Sequence, residues 1–423
     1  MLETHFREQR ADFDPRHDFH DRLFTLLLLA SLILGFLWLD KPSGALIFDE
    51  KYYVNVARNI LNLPRDPDVY PNATPGLDPN REHPFLAKGI IAFSIMILGD
   101  NAWGWRTPSV IFGNIGLFVF YLLVKRLSNR GDTALFASFL LSSSNLLFVH
   151  SRIATLDIFM VTFMLLGFYW YTADRRYLSA FSLALATLSK PVGLYGFFAI
   201  VVCHYVNVFV ESRRAGKVFD WRTGLVWLRD YASIYVASGL LLLTIFDRIW
   251  VGYSNPLEHI VYIYSHYGSL TRGSPEGIES YPWQWLINEV RIPYLTVNVD
   301  VYTDSKLISS RPSVAFQGAM NPFIIYLAIP AIAYSVYSSY KKGSRTALFT
   351  TAWFALTYLP FYPMSIIGHR IMYLFYFLPA LPSVCLSISY LFLDRRADRI
   401  VLLAYSFAVL LGFVMLFPFR QIP

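Results

Sequence analysis

Apolar residues in this chain fall in long unbroken runs, not in the spacing of a surface helix or the alternation of a half-buried strand. Spans of about 17 to 25 such residues are what a hydrocarbon core of about 30 Å requires. Eleven stretches near that length predict membrane helices: Leu23 to Leu39, Thr107 to Val124, Thr133 to Val149, Ile153 to Tyr171, Leu178 to Val192, Leu194 to Val210, Tyr231 to Trp250, Pro322 to Tyr340, Ala347 to Pro363, Ile371 to Leu393 and Ile400 to Phe417. The first is not read as a cleaved signal peptide, because its flank carries six acidic residues and no A-x-A-like site follows.

A shorter apolar segment, Phe85 to Leu98, decides the topology. Its 14 residues would reach only about 21 Å as a helix, short of the hydrocarbon core. If it does not cross, the basic clusters KRLSNR (125–130), DRR (174–176), ESRRAGK (211–217), YKKGSR (340–345) and DRRADR (394–399) all fall on the side of the amino terminus, with 20 of the 36 basic residues. That is the positive-inside pattern. The segment is therefore expected to lie in the outer interface. The amino terminus is then cytoplasmic and the carboxyl terminus outside.

Composition agrees: 55% hydrophobic, 17% aromatic and 15% charged residues over 423 positions leave too little polar surface for a soluble fold. The net charge of +7 is assigned to lipid headgroups, not nucleic acid. Cys203 and Cys385 sit inside apolar runs, which excludes a disulfide framework and a cysteine metal ribbon. No GxGxxG, P-loop, HExxH or CxxC occurs, so nucleotide binding has no support. Asp14, His17, Asp18 and His20 have spacings a metal could use, but a solvated charged tail is the simpler reading. The chain divides into a cytoplasmic tail (1–22), a membrane module (23–250) with a first outer loop (40–106), a large outer loop (251–320) and a second membrane module (321–423).

With this topology, polar residues that border the apolar runs collect on the outer face: Asp49, Glu50, Glu82, His83, Lys88, Arg106, Arg152, Asp157, Lys190, His369 and Arg370. Ionisable groups at membrane depth are costly and mark cavities, partners or substrates. Structural readings stand beside each. Glu82, His83 and Arg106 lie at helix ends, where capping and snorkelling also place charge. Arg152 and Asp157 are spaced for a structural pair, and Lys190 could reach headgroups. One carboxylate of the Asp49–Glu50 couple would suffice as a helix cap. Trp283 and Trp285 read either as an interfacial belt or as a sugar platform.

The run FDEKYYVNVARNIL, then EHPFLAKGIIAFSIMILGDNAWGWRTPSVIFG, SRIATLDIFM, SYPWQWLINE and HRIMYLFYFLPALPSV together resemble the protein O-mannosyltransferase family over most of the chain. The resemblance implies an all-α polytopic fold of the GT-C type with about eleven transmembrane helices and interfacial helices in the first outer loop. It also implies sugar transfer from a polyprenyl or dolichyl phosphate donor, with Asp49 as catalytic carboxylate and Glu50 beside it shaping the acceptor site. Arg106 matches the family's functional arginine, His83 and Lys88 an HPxxxK-like element, and Arg152 with Asp157 an R-x-x-x-L-D element. The outer loop from Val251 to Met320 is only 70 residues, without the sugar-binding-like module of eukaryotic members, which suggests a compact prokaryotic-type enzyme.

The chemistry suits these residue types. A lipid phosphate is already a good leaving group whose charge must be held, for which Arg106, Lys88, Lys190 and Arg370 are the candidates. Glu82, His83, Arg152, Trp283 and Trp285 are expected around the substrates. Asp49 would take the acceptor's proton as the anomeric centre inverts. A magnesium or manganese ion bridging Asp49 and the phosphate is the metal alternative. The resemblance implies mannose as the sugar and a protein serine or threonine hydroxyl as the acceptor, with transfer of mannose or aminoarabinose to a glycolipid or cell-envelope glycan as the alternative. A transporter or flippase has little weight without internal repeats. Membrane lipids are expected partners, and a dimer with a homologue is left open.

Overall fold

A computed structural model describes residues 15–417. Asp14, of the amino-terminal His/Asp segment, lies outside the described residues. The described chain is dominated by helices: α1 (Pro15–Phe36), α2 (Glu50–Ile60), α3 (Leu86–Leu98), α4 (Ala102–Ser128), α5 (Gly131–Ser142), α6 (Asn145–His150), α7 (Asp157–Thr172), α8 (Arg176–Ser189), α9 (Leu194–Arg214) and α10 (Trp221–Phe246) in the first half. The second half holds α11 (Pro256–Ser269), α12 (Pro282–Leu286), the strands β1 (Ile292–Thr303) and β2 (Lys306–Gly318), then α13 (Pro322–Ile325), α14 (Ala328–Lys341), α15 (Arg345–Tyr358), α16 (Phe361–Ile366), α17 (Leu381–Asp394) and α18 (Arg399–Met415).

Each of the eleven apolar runs contains helix, but among the described residues only five helical stretches are long and apolar enough to cross a membrane: Phe19–Phe36, Ala102–Ser128, Pro191–Arg214, Trp221–Val251 and Pro322–Lys341. Several others are interrupted by backbone that the neighbouring helices satisfy. Between α5 and α6, Asn321 Nδ2 donates to the Ser143 carbonyl at 3.0 Å and Asn145 Nδ2 donates to that of Phe413 at 3.0 Å. Such breaks persist at membrane depth only where protein replaces the missing partners. In the tenth run, residues ahead of α17 are drawn outward: Thr271 and Glu279 bridge to Arg370 and Tyr373. The expected short helix is α3, 13 residues long, or about 20 Å. It buries Lys88, Ile91 and Ile95 and leaves Phe93, Met96 and Ile97 exposed.

The all-α fold class did not foresee the hairpin β1–β2 in the large outer loop, which pairs Ile292 with Gly318 at its base and Thr303 with Lys306 at its tip. Asp304 and Ser305 turn the tip with φ of 50° and 63°, the left-handed pair that a tight hairpin demands. At the base, Ile292, Tyr294 and Phe316 are buried, so the hairpin is rooted in the bundle.

Contacts between distant segments sort the chain into two poles. Arg126 donates to the Thr172 carbonyl, Arg130 to that of Leu393, Arg345 pairs with Glu211 and Lys342 with Asp394. These links gather all five basic clusters at one end. The outer-loop residues and the expected site gather at the other.

Candidate active site

The site is built where the chain enters α2. Phe48 has a φ of 53°, a costly conformation for a bulky residue. It is clamped by stacking on Tyr294, with ring centroids 4.2 Å apart, and by the edge of Phe375 at 5.9 Å. The adjacent carboxylates then meet opposite environments. Glu50 is fully buried and accepts from Arg106 Nε at 2.8 Å and Nη2 at 2.9 Å, from the Ile47 amide at 2.7 Å and from the Ala154 amide at 3.0 Å. Asp49 is only partly buried. Its side chain makes no capping bond to α2, so the helix-cap reading does not apply to it. Burial pushes the Asp49 carboxyl up from 3.8 to about 6; the Lys190 ammonium pulls it back, Asp157 pushes further and Lys51 opposes.

Arg106 spends all five N–H groups inside the protein. Besides the two to Glu50, Nη1 donates to the carbonyls of Leu39 and Lys41 at 2.9 and 3.0 Å and Nη2 to that of Ala45 at 2.9 Å. Lys88 is equally committed: its ammonium lies 2.5 Å from Asp78 Oδ2 and donates to the Asn80 and His83 carbonyls at 2.5 and 2.8 Å. The expected phosphate contacts of Arg106 and Lys88 thus find no free donor here. Arg106 instead ties the entry of the first outer loop to α4, and Lys88 ties α3 to the loop segment that precedes it.

Lys190 differs. Its ammonium donates to Asp157 Oδ1 at 2.6 Å and lies 4.7 Å from the Phe375 ring centroid and 5.7 Å from that of Tyr376. The expected Arg152–Asp157 pair is therefore corrected: Asp157 faces Lys190. Arg152 instead donates from Nη1 to the Leu34 carbonyl at 2.7 Å and from Nη2 to that of Leu37. It covers the open carbonyls at the carboxyl end of α1, is buried and lines a cavity with Ser31, Gly35 and Asn114.

Arg370 is half-buried, donates to the Tyr267 carbonyl and lies over the Tyr267 ring at 4.6 Å. It lines an open cleft with Arg272, Glu279, Tyr281 and His369. The Tyr267 hydroxyl meets His83 Nδ1 at 2.7 Å. Burial, with Lys190 and Lys88, holds His83 well below the usual imidazole range. Glu82 accepts from Asn80 Nδ2 at 2.5 Å. Trp283 is exposed and stacks on Tyr281 at 4.4 Å. Trp285 is a correction: it is fully buried, donates to Ser280 Oγ at 2.8 Å and packs edge-on against Phe361, so it is core and not platform.

Sequence reasoning missed His150, Tyr294, Asp78 and Tyr267. His150 stands just before SRIATLD and was readable as a histidine inside an apolar run. Nothing in the sequence pairs it with Tyr294, 144 positions away. Among the described residues no group of three or more His, Cys, Asp or Glu is arranged to hold a metal ion.

A family model described as dolichyl-phosphate-mannose-protein mannosyltransferase matches residues 82–229. A polyprenol-phosphate-mannose–protein mannosyltransferase from Corynebacterium glutamicum is 23% identical over 86% of this chain and 81% of its own. The Saccharomyces cerevisiae protein O-mannosyltransferase Pmt1–Pmt2 complex, solved bound to the sugar donor, superimposes with a TM-score of 0.69 at 11% identity, covering 99% of this chain and 91% of that one. ArnT from Cupriavidus metallidurans does so with a TM-score of 0.56 at 16% identity, covering 90% and 61%. The fold is of the GT-C type, and the resemblance noted in the sequence extends across nearly the whole chain.

Proposed function

We propose that this chain, a multi-pass GT-C protein resembling the protein O-mannosyltransferases, transfers mannose from a polyprenyl phosphate to the hydroxyl of a protein serine or threonine on the non-cytoplasmic side. Asp49 carries the reading. It is the one member of the Asp49–Glu50 couple left without an ion-pair or hydrogen-bond partner for its side chain among the described residues, beside an ammonium with donors to spare. A carboxyl raised to about 6 is ionised at neutral pH and still basic enough to accept a proton in the transition state.

The acceptor oxygen attacks the anomeric carbon while its proton passes to Asp49. The bond from that carbon to the phosphate oxygen breaks, and the polyprenyl phosphate leaves with the electron pair. The configuration inverts. Lys190 holds the developing charge on the phosphate, with Arg370 at the rim, and Trp283 offers a stacking face for the acceptor. Arg106 with Glu50, and Lys88 with Asp78, act one step back by holding the first outer loop. Positive charge for the phosphate comes from side chains in this reading; a magnesium or manganese ion between Asp49 and the phosphate is the alternative, and loss of transfer on chelation would favour it.

The basic pole supports a cytoplasmic assignment by the positive-inside rule, and α3, with its exposed apolar face, fits the outer interface. The test is transfer of radiolabelled mannose from polyprenyl-phosphate mannose to membrane acceptors by the parent and by Asp49→Asn at equal expression. Protease-sensitive label that requires Asp49 is expected. Equal transfer by Asp49→Asn would remove the mechanism, and protease-resistant product would move the acceptor to a glycolipid.

A further inference from the structure

We infer that Tyr294 and His150 are positioning residues for the donor, acting through Asp157 on the Lys190 ammonium. The inference rests on the reading that Lys190 meets the donor phosphate. Four separate elements supply the chain of contacts: β1 of the outer-loop hairpin, the end of α6, the start of α7 and the turn after α8.

The Tyr294 hydroxyl lies 2.7 Å from His150 Nε2. On the other side of the ring, Nδ1 lies 3.2 Å from Thr155 Oγ1 and 3.5 Å from Asp157 Oδ2. The second Asp157 oxygen takes the Lys190 contact at 2.6 Å. Every member is at most 5% exposed, so no bulk water substitutes for a lost partner. For a neutral imidazole one arrangement of protons satisfies the row: Tyr294 donates to Nε2, and the Nδ1 proton faces Thr155 and Asp157. Asp157 is then held from one side by an imidazole and presents its other oxygen to the ammonium.

Lys190 has three N–H donors, and Asp157 is its single hydrogen-bond partner among the described residues. The rings of Phe375 and Tyr376 flank the ammonium. Two donors therefore remain for a ligand, and their direction is set by where Asp157 holds the first. Tyr294 also stacks on Phe48, next to Asp49. Through this one residue the hairpin is linked to the base by way of Phe48 and to the cation by way of His150 and Asp157.

A purely structural role would only root the hairpin. The two roles separate in a double-mutant cycle on the full-length chain in lipid nanodiscs, reading equilibrium binding of radiolabelled polyprenyl-phosphate mannose, initial rates and thermal midpoints. Tyr294→Phe should weaken donor binding about tenfold, the scale of one buried hydrogen bond, and leave the acceptor KM unchanged. Lys190→Ala should weaken binding further. The double variant should bind the donor as Lys190→Ala alone does, because without the ammonium there is nothing left to aim. Additive losses, or a Tyr294→Phe variant with a lowered thermal midpoint and unchanged donor affinity, would overturn the inference while leaving the Lys190 assignment intact. Unchanged donor binding by Lys190→Ala would instead remove that assignment and the inference with it. His150→Gln provides the same cycle if Tyr294→Phe fails to fold, since it alters the link from the other side.

Discussion

The two poles of the molecule use the same residue types for different ends. At the basic pole the ion pairs are open to solvent: Arg345 and Glu211 have side chains 56% and 42% exposed, and Arg130 and Asp132 45% and 37%. At the opposite pole three pairs are shut away, with Arg106 and Glu50 at 1% and 0%, Lys88 and Asp78 both at 0%, and Lys190 and Asp157 both at 6%. Charge at the first pole is the kind that, in the proposed topology, would orient a chain in a membrane by number and sign. Charge at the second costs desolvation and holds only because each partner is hydrogen-bonded. The partly buried Asp49 stands out against this background of committed pairs.

The sharpest way to break the comparison is Asp49→Asn, which should cut mannosyl transfer about a thousandfold without loss of fold, as read by initial rates and by size-exclusion profile in detergent. Arg106→Ala should be next. It leaves Glu50 buried and unpaired, a loss on the order of 3–5 kcal/mol, seen as a collapse of the thermal midpoint with activity falling only as folded protein is lost.

The pH dependence sharpens the distinction. With the Asp49 carboxyl raised to about 6, turnover should rise as pH passes through 6 and the base ionises. The stability effect has the opposite sign. The folded chain holds this proton more tightly than the unfolded chain does, so stability is lost as pH rises from about 4 to about 6. Asp49→Asn should therefore unfold at a higher temperature than the parent at pH 7.5, with the gap shrinking as pH falls towards 4. At the other pole, Arg345→Ala should change stability by no more than about 1 kcal/mol and leave the kinetics of transfer alone.

Much of this division was legible beforehand. A run of apolar residues has few options in water, and the side on which lysine and arginine accumulate can be counted along a line. Each predicted run therefore contains helix, although Ser143 and the residues before Leu381 interrupt two of the runs and only five helical stretches among the described residues have the length and apolarity to cross a membrane. Asp49 and Lys190 were also readable as polar residues beside apolar runs. What could not be read was the state of each charge. Arg106, Lys88 and Lys190 looked alike as cations near membrane sequence, and Trp283 and Trp285 looked alike as aromatic residues two positions apart.

The sequence by itself determined a membrane protein of mostly helical fold, its two electrically distinct ends and the cluster of ionisable residues at one of them, because hydropathy and net charge are sums over neighbouring positions. Only the tertiary structure decided that Arg106 has spent its five N–H groups, that Asp157 grips Lys190 and not Arg152, and that Tyr294 reaches His150 across 144 positions. Hydrogen-bond donors are consumed by partners brought together in space. Whether a charge is left over for a substrate is a property of the closed fold.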